Sequence, residues 1–207
     1  MTLTETDSLP NVSRETMERI RAFEDLLRRW NQKINLVSPA DLSHLRTRHT
    51  QDSAQLMEHI PTEARTWLDL GSGAGFPGLV CAILAAESRP DLHVTLIESD
   101  QRKSAFLREA ARIAGIQTTV LTTRIESASL QPHDIITARA LAALPQLLSL
   151  AWPFCHSETC LLLPKGRTVS SELMTAGQDW HMTVERLPSR IDPDSTILKL
   201  TQVRPAR

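Results

Sequence analysis

Cysteine is scarce in this chain: Cys81, Cys155 and Cys160 are the only three among 207 residues. Their spacing suits no metal, and three cannot all pair, which fits a reducing compartment. Neither sign of charge dominates, since 23 Lys and Arg stand against 24 Asp and Glu. The net charge of −1 excludes a uniformly basic nucleic-acid binder, so any polyanion must meet a local patch. There is no apolar run of the ~18 residues that suggest a membrane helix, and no secretory apolar core near the start. The expectation is a soluble, cytoplasmic protein without a membrane partner. Internal repeats and low-complexity segments are also missing. Glycine is rare too, yet four of the seven fall between Gly71 and Gly78.

That concentration singles out Thr66 to Gly78, TWLDLGSGAGFPG. Trp67, Leu68 and Leu70 read as a short strand that runs into Gly71, Gly73, Gly75 and Gly78. Glycine lets backbone approach a ligand closely where a Cβ would intrude. Pro77 suits the first position of a helix, where its missing N–H would be unpaired anyway. Strand, glycine turn and helix together aim backbone N–H groups at a nucleotide-type ligand. Gly73-x-Gly75-x-x-Gly78 also fits the dinucleotide fingerprint, a pattern of low specificity by itself. Asp69 argues against that use, because an acid there repels a pyrophosphate and suits a cationic amine or a ribose hydroxyl. Asp69-x-Gly71-x-Gly73-x-Gly75 resembles the first motif of the class I S-adenosylmethionine (SAM) methyltransferases.

Ahead of the turn the pattern is helical. Residues 1–12 are polar and predict a flexible arm. Ser13 is a cap, and Met17, Ile20, Phe23, Leu27, Trp30 and Ile34 mark one face of a long amphipathic helix. Ser38-Pro39 starts a second helix that runs to about Arg46, and a third is expected from about Thr50 to His59. Past Pro61, strands are expected over 66–70, 92–98, 117–122, 133–138 and 158–163, with helices over 77–88, 100–114, 142–153 and 169–178. Two strands without a helix between them, 180–187 and 195–202, close the chain as a hairpin. This alternation predicts an α/β, Rossmann-like, mostly parallel seven-stranded sheet behind a helical extension. The division is residues 1–62 and 63–207, with the site beyond the carboxyl end of the first strand.

Several side chains converge on that end. Glu98 closes the second strand, where a carboxylate can accept both ribose hydroxyls. Asp100 is the better cap for the following helix and leaves Glu98 free. Beyond the third strand, Ile125 suits packing on an adenine ring and Glu126 its exocyclic amine, with a solvated loop as the alternative. Phe76 is either a wall of the ligand pocket or a packing residue beneath the helix. Arg139 follows the fourth strand at the rim of the crevice, placed to position substrate or cofactor. The Asn-Pro-Pro-aromatic motif that holds an exocyclic amine for attack is missing there. Cys155 lacks the pairing with proline used by C5-methylating enzymes. Arg139 therefore suits an electron-rich acceptor that needs no base.

Basic residues supply the substrate side. Arg28, Arg29, Lys33, Arg46 and Arg48, with His44 and His49, face one acid, Asp41, between residues 28 and 50. Such a stretch attracts a phosphate backbone or is simply solvated. Arg102 and Lys103 open a helix, where cations are unfavourable, and so are expected to face outward. Arg124 and Lys165 complete the set of expected substrate contacts, each with a solvated loop position as the alternative. His44, His49 and His59 have no ligand spacing, and no metal is expected.

In order along the chain stand Trp30-Asn31-x-x-x-Asn35-Leu36, Arg48-His49-x-x-Asp52-Ser53, Asp69-x-Gly71-x-Gly73-x-Gly75-Phe76-Pro77-Gly78, Glu98-Ser99-x-x-Arg102-Lys103, Arg139-Ala140 and Pro164-Lys165-Gly166. Together they resemble the small-subunit ribosomal RNA guanine-N7 methyltransferase family, once called glucose-inhibited division protein B. The resemblance implies SAM as cofactor and N7 of guanine 527, in the 530 loop of 16S rRNA, as acceptor. Carried over, it gives Gly71, Phe76, Ile125, Glu126 and Arg139 as cofactor-contacting positions and Glu98 as the ribose-binding acid. With no Tyr and four Phe, base stacking falls to Arg, His or Trp. The implied partner is 16S rRNA, in a small subunit or its assembly intermediate, met by a monomer. Competing readings are methylation of another RNA, a small molecule or a protein, an NAD-type oxidoreductase, and a non-catalytic RNA-binding module.

Overall fold

Seven strands form one sheet in the order β3-β2-β1-β4-β5-β7-β6. They are β1 (Thr66–Leu70), β2 (His93–Glu98), β3 (Thr119–Thr122), β4 (Ile135–Ala138), β5 (Cys160–Lys165), β6 (Trp180–Pro188) and β7 (Thr196–Pro205). The computed structural model describes Leu9 and residues 12–206; the rest of the expected N-terminal arm lies outside the described residues. Strands β1 to β5 pair in parallel, and β7 inserts antiparallel between β5 and β6. The closing hairpin read from the sequence is this β6–β7 pair.

Helices cover both faces, as a parallel sheet requires. They are α1 (Arg14–Asn31), α2 (Pro39–Ser43), α3 (Asp52–Ala54), α4 (Gly78–Ser88), α5 (Gln101–Ile113), α6 (Leu144–Ala151) and α7 (Val169–Ala176). Side chains alternate along a strand. Trp67, Leu96, Ile135 and Leu162 therefore join the core with α4 and α5, while Leu68, Leu70, Ile97 and Ile136 meet α6. Asp69 shares the face of Trp67 and so points toward α4.

The helical extension is fastened to this core. Ile20, Phe23 and Leu27 of α1 are fully buried, each burial contributing roughly 1.5–3 kcal/mol. Phe23 packs on Phe106 of α5 and edge-on against Phe76, with ring centres 6.3 and 5.5 Å apart. The first helix stops at Asn31, short of the expected Ile34. Its cause is the Asn31 side chain, whose carbonyl accepts the Leu36 and Val37 N–H groups at 2.9 Å. Ile34 nevertheless packs against the same cluster.

Other boundaries moved for visible reasons. The helix expected over Thr50–His59 is instead a π-helical turn (Arg46–Gln51), α3 and a 3-10 turn (Gln55–His59). Two residues of the π turn reach back to α1, where Arg46 and Thr50 both bind Glu24. Helix α4 starts at Gly78, one residue late, because Pro77 occupies the N-cap after a cis Phe76–Pro77 bond. Strand β4 starts two residues late because Asp134 is occupied elsewhere. Its Oδ2 accepts the Arg65 and Thr66 N–H groups at the start of β1, at 2.8 and 2.9 Å. Strand β5 also starts late, behind a His156–Thr159 turn held by Thr159 donating to the His133 carbonyl at 2.7 Å.

Candidate active site

The turn between β1 and α4 holds three glycines in the left-handed region, with φ of +68° at Gly71, +52° at Gly73 and +92° at Gly75. Gly73 faces open space: a Cβ there would meet nothing nearer than the Gly71 carbonyl at 3.8 Å. Gly78 has another purpose from that expected. A Cβ on it would lie 2.5 Å from Cβ of Asp69 and 2.6 Å from Leu96, so this glycine lets α4 press against the sheet rather than admitting a ligand.

Asp69 is 1% exposed. Its Oδ1 accepts the Thr137 hydroxyl at 2.7 Å, and Thr137 in turn accepts Nε1–H of Trp67 at 2.8 Å. Its Oδ2 is buried without a well-aligned partner. Burial raises this carboxyl to about 6, against the pull of the Thr137 hydrogen bond. Glu98 is not free, as the sequence had suggested. Its Oε2 accepts the Gly73 N–H at 2.9 Å and its Oε1 accepts the Asp100 N–H at 2.8 Å. Asp100 caps α5 as expected, accepting from the Arg102 and Lys103 N–H groups. Two backbone bonds leave lone pairs on Glu98 for hydroxyl donors. Beyond β3, Ile125 is buried against the α6 side of the core, while Arg124 and Glu126 are exposed.

The sequence did not predict what surrounds Arg139. Its guanidinium lies over the Phe76 ring, 5.2 Å from the centre. Its Nη1 is 3.5 Å from Asp52 and its Nη2 donates to Nδ1 of His49 at 2.5 Å. His49 stacks on Phe76 at 5.0 Å. Phe76 therefore packs against the core on one side and the polar cluster on the other. Guanidinium has no acceptor, so Nδ1 must present its lone pair and the ring proton sits on Nε2. Burial first, then the charge of Arg139, lowers His49 to about 4. At neutral pH it is uncharged, and its approach to Asp41 at 3.8 Å is no ion pair. Asp52, Asp69 and Asp41 all attract Arg139, so one cation sits among three carboxylates. The signal for this cluster was Arg48-His49-x-x-Asp52, whose His and Asp stand three residues apart on adjoining helical turns.

The basic stretch shrinks on inspection. Arg46 is not available to a polyanion, because it forms a two-pronged ion pair with buried Glu24 at 2.7 and 2.6 Å. Arg48 faces Asp41 at 3.2 Å, and His49 is neutral. Arg28, Arg29 and Lys33 remain exposed at the end of α1, Arg28 beside Asp25 at 3.7 Å. Lys33 and Asn35 share a groove of about 320 Å³ with Arg102 and Lys103. Lys165 is held internally, donating to Glu172 at 2.8 Å and to the Ala142 carbonyl at 3.1 Å. A phosphate would have to displace Glu172 to reach it. A cavity of about 430 Å³ lies beside Arg139, between Asp52 and Lys165. Another of about 830 Å³, lined by Leu84, Ile60 and Met57, lies at the far end of α4 and holds none of these groups. Among the described residues no group of His, Cys, Asp and Glu could hold a metal, and no helix is long and apolar enough to cross a membrane.

The residues at the strand ends fit SAM. Gly73 leaves open space, and Glu98 offers acceptor capacity beside it. Strand order, the glycine turn and these acids define a class I SAM-dependent methyltransferase. Comparison with solved structures agrees on the fold: a SAM-dependent methyltransferase from Aquifex aeolicus superposes with a TM-score of 0.60 at 14% identity, over 86% of this chain and 98% of that one. Residues 16–192 match the family described as rRNA small subunit methyltransferase G (GidB). The chain belongs to that family. It is 53% identical to the Ribosomal RNA small subunit methyltransferase G of Gluconobacter oxydans, over 95% of this chain and 98% of the relative. The protein of that name from Cereibacter sphaeroides is 49% identical over 92% of each.

Proposed function

We propose that this enzyme transfers the methyl group of SAM to N7 of guanine 527 in the 530 loop of 16S rRNA. The observation that carries the reading is the state of His49. Its Nδ1 is occupied by Arg139 and its pKa lies near 4. It is unsuited to remove a proton from an acceptor at neutral pH. Burial also raises the three thiols, Cys155 to about 12, Cys160 to about 11 and Cys81 well above the usual thiol range, so none is an activated nucleophile. An acceptor that needs no deprotonation fits such a site, and N7 of guanine carries a lone pair and no hydrogen.

SAM supplies an electrophilic methyl group on a cationic sulfur. The N7 lone pair forms the new bond while the carbon–sulfur pair returns to sulfur, and positive charge passes to the purine. Glu98 is placed to accept ribose hydroxyls. Asp69, largely ionised at pH 7 with its pKa about 6, favours a cation on the cofactor side. Asp52 and Asp41 offset Arg139, so the positive purine product does not face an uncompensated guanidinium. With no proton to move, rate enhancement rests on alignment of donor and acceptor. A loop or an assembling small subunit is the favoured substrate, because the groove bearing N7 is narrow in duplex RNA. On this reading the enzyme works in the cytoplasm, beside its rRNA substrate, and as a monomer.

The test is incubation with methyl-labelled SAM and small subunits from cells lacking the enzyme, followed by mapping of the product. Label at N7 of the expected guanine is the predicted result; label on a ring carbon or an exocyclic amine overturns it. Gly73→Val should remove SAM binding in a titration, at least 100-fold, because its side chain enters the open space above the turn.

A further inference from the structure

We propose that Asp52 is the residue that selects guanine, accepting hydrogen bonds from N1–H and the N2 amine of the target base. This rests on the reading of guanine as the acceptor. The base must enter with N7 open to the methyl group. Arginine ordinarily reads guanine through O6 and N7 together, and that mode would cover the reacting atom. Arg139 is thus restricted to O6, and recognition must come from the opposite edge, which presents two donors. An acceptor there discriminates, because adenine offers neither an N1–H nor a C2 amine.

The cavity of about 430 Å³ beside Arg139 is of the size that holds small ligands, ~300–1,000 Å³. Two acids line it, Asp52 and Glu172. Glu172 is committed: Oε2 accepts from the Leu144 N–H and from Lys165, and Oε1 from the Thr168 hydroxyl, all at 2.8 Å. Ser195, also on the wall, donates its hydroxyl to Asp192 at 3.1 Å. Asp52 is less fully engaged. Its Oδ1 accepts from Gln55 at 2.8 Å, and its Oδ2 faces the Arg139 guanidinium at 3.5 Å. A carboxylate has about four lone-pair sites, so Asp52 can take both donors without giving up either neighbour. It also borders a second polar cavity of about 610 Å³, in which Arg48 pairs with Asp41 and Arg167 with Asp194.

The experiment uses small subunits reconstituted with rRNA carrying guanine or inosine at the target position; inosine lacks only the N2 amine. The wild type should favour guanine by about 10- to 100-fold in kcat/KM. Asp52→Asn should slow the guanine reaction and bring the guanine-to-inosine ratio close to one, with SAM affinity unchanged. A role confined to holding Arg139 would slow both substrates equally, and an unchanged ratio in Asp52→Asn overturns the assignment. Equal use of guanine and inosine by the wild type overturns it without any variant. Failure of the wild type to methylate guanine at all removes the guanine reading itself, and Asp52 with it.

Discussion

The two halves of the proposed active site are built differently. On the side proposed for the cofactor, Asp69, Gly73 and Glu98 lie within 30 residues, and the Glu98–Gly73 bond joins neighbouring strand ends. On the side proposed for the acceptor, Arg139, which the family resemblance had given as a cofactor contact, meets His49 across 90 positions of sequence, and the contact exists only because the helical extension folds back over the sheet. One half is a local motif that any similar sheet could present. The other is a tertiary assembly of one cation, one neutral imidazole and several carboxylates.

The sharpest way to separate them is to damage one and watch the other. Gly78→Val should cost most, about 3 kcal/mol or more, because the Cβ enters the space of Asp69 and Leu96. Thermal unfolding should show a Tm lower by roughly 10 °C; a Tm within about 2 °C of wild type would show that α4 does not need this close contact.

Next comes His49→Gln, read through pH. The folded pKa of His49, about 4, lies below its ordinary 6.5. Its contribution is therefore present above pH 6.5 and lost as pH falls through 4, where the unfolded chain binds the proton more readily. The wild type should lose about 3 kcal/mol more than the variant across that window, measured by urea unfolding at several pH values. Asp69 acts in the opposite sense, since its folded pKa of about 6 exceeds its ordinary 3.8. Its term stabilises the fold at low pH and is lost as pH rises through 6, and both proteins share it. Identical pH profiles for the two proteins would mean that His49 is not held neutral.

Arg139→Met should slow methyl transfer about 100-fold with SAM affinity changed far less, as measured by single-turnover kinetics and calorimetry. A loss of SAM binding equal to the loss of rate would move Arg139 to the cofactor half. Smallest is the combined change of Arg28, Arg29 and Lys33 to Gln. It should weaken rRNA binding about tenfold and flatten its salt dependence by up to roughly two logarithmic units of slope. Unchanged binding would take the end of α1 off the substrate face.

The cofactor half was legible in the sequence for the reason that it is local. Glycine density, Asp69 and the strand-end Glu98 all follow from spacing along a strand–turn–helix unit. What spacing could not show was the purpose of each glycine. Gly73 and Gly78 look alike in the sequence, yet one faces open space and the other a side-chain contact across the sheet. The acceptor half was legible only in pieces. Arg139 could be placed on the rim because it directly follows β4. Its partners could not, because His49 and Asp52 lie on helical turns whose packing depends on Glu24 binding Arg46 and Thr50. The same contact removed Arg46 from the basic stretch. Charge counted along a sequence cannot tell a solvated arginine from one already neutralised.

Phe76 touches Phe23 of the leading helix on one side and the His49–Arg139 pair on the other, while belonging to the donor loop. Grafting the front segment of a different enzyme onto this sheet to redirect it to another RNA would remove those neighbours at a stroke. The leading helix and the glycine-turn loop are thus mechanically tied in this architecture.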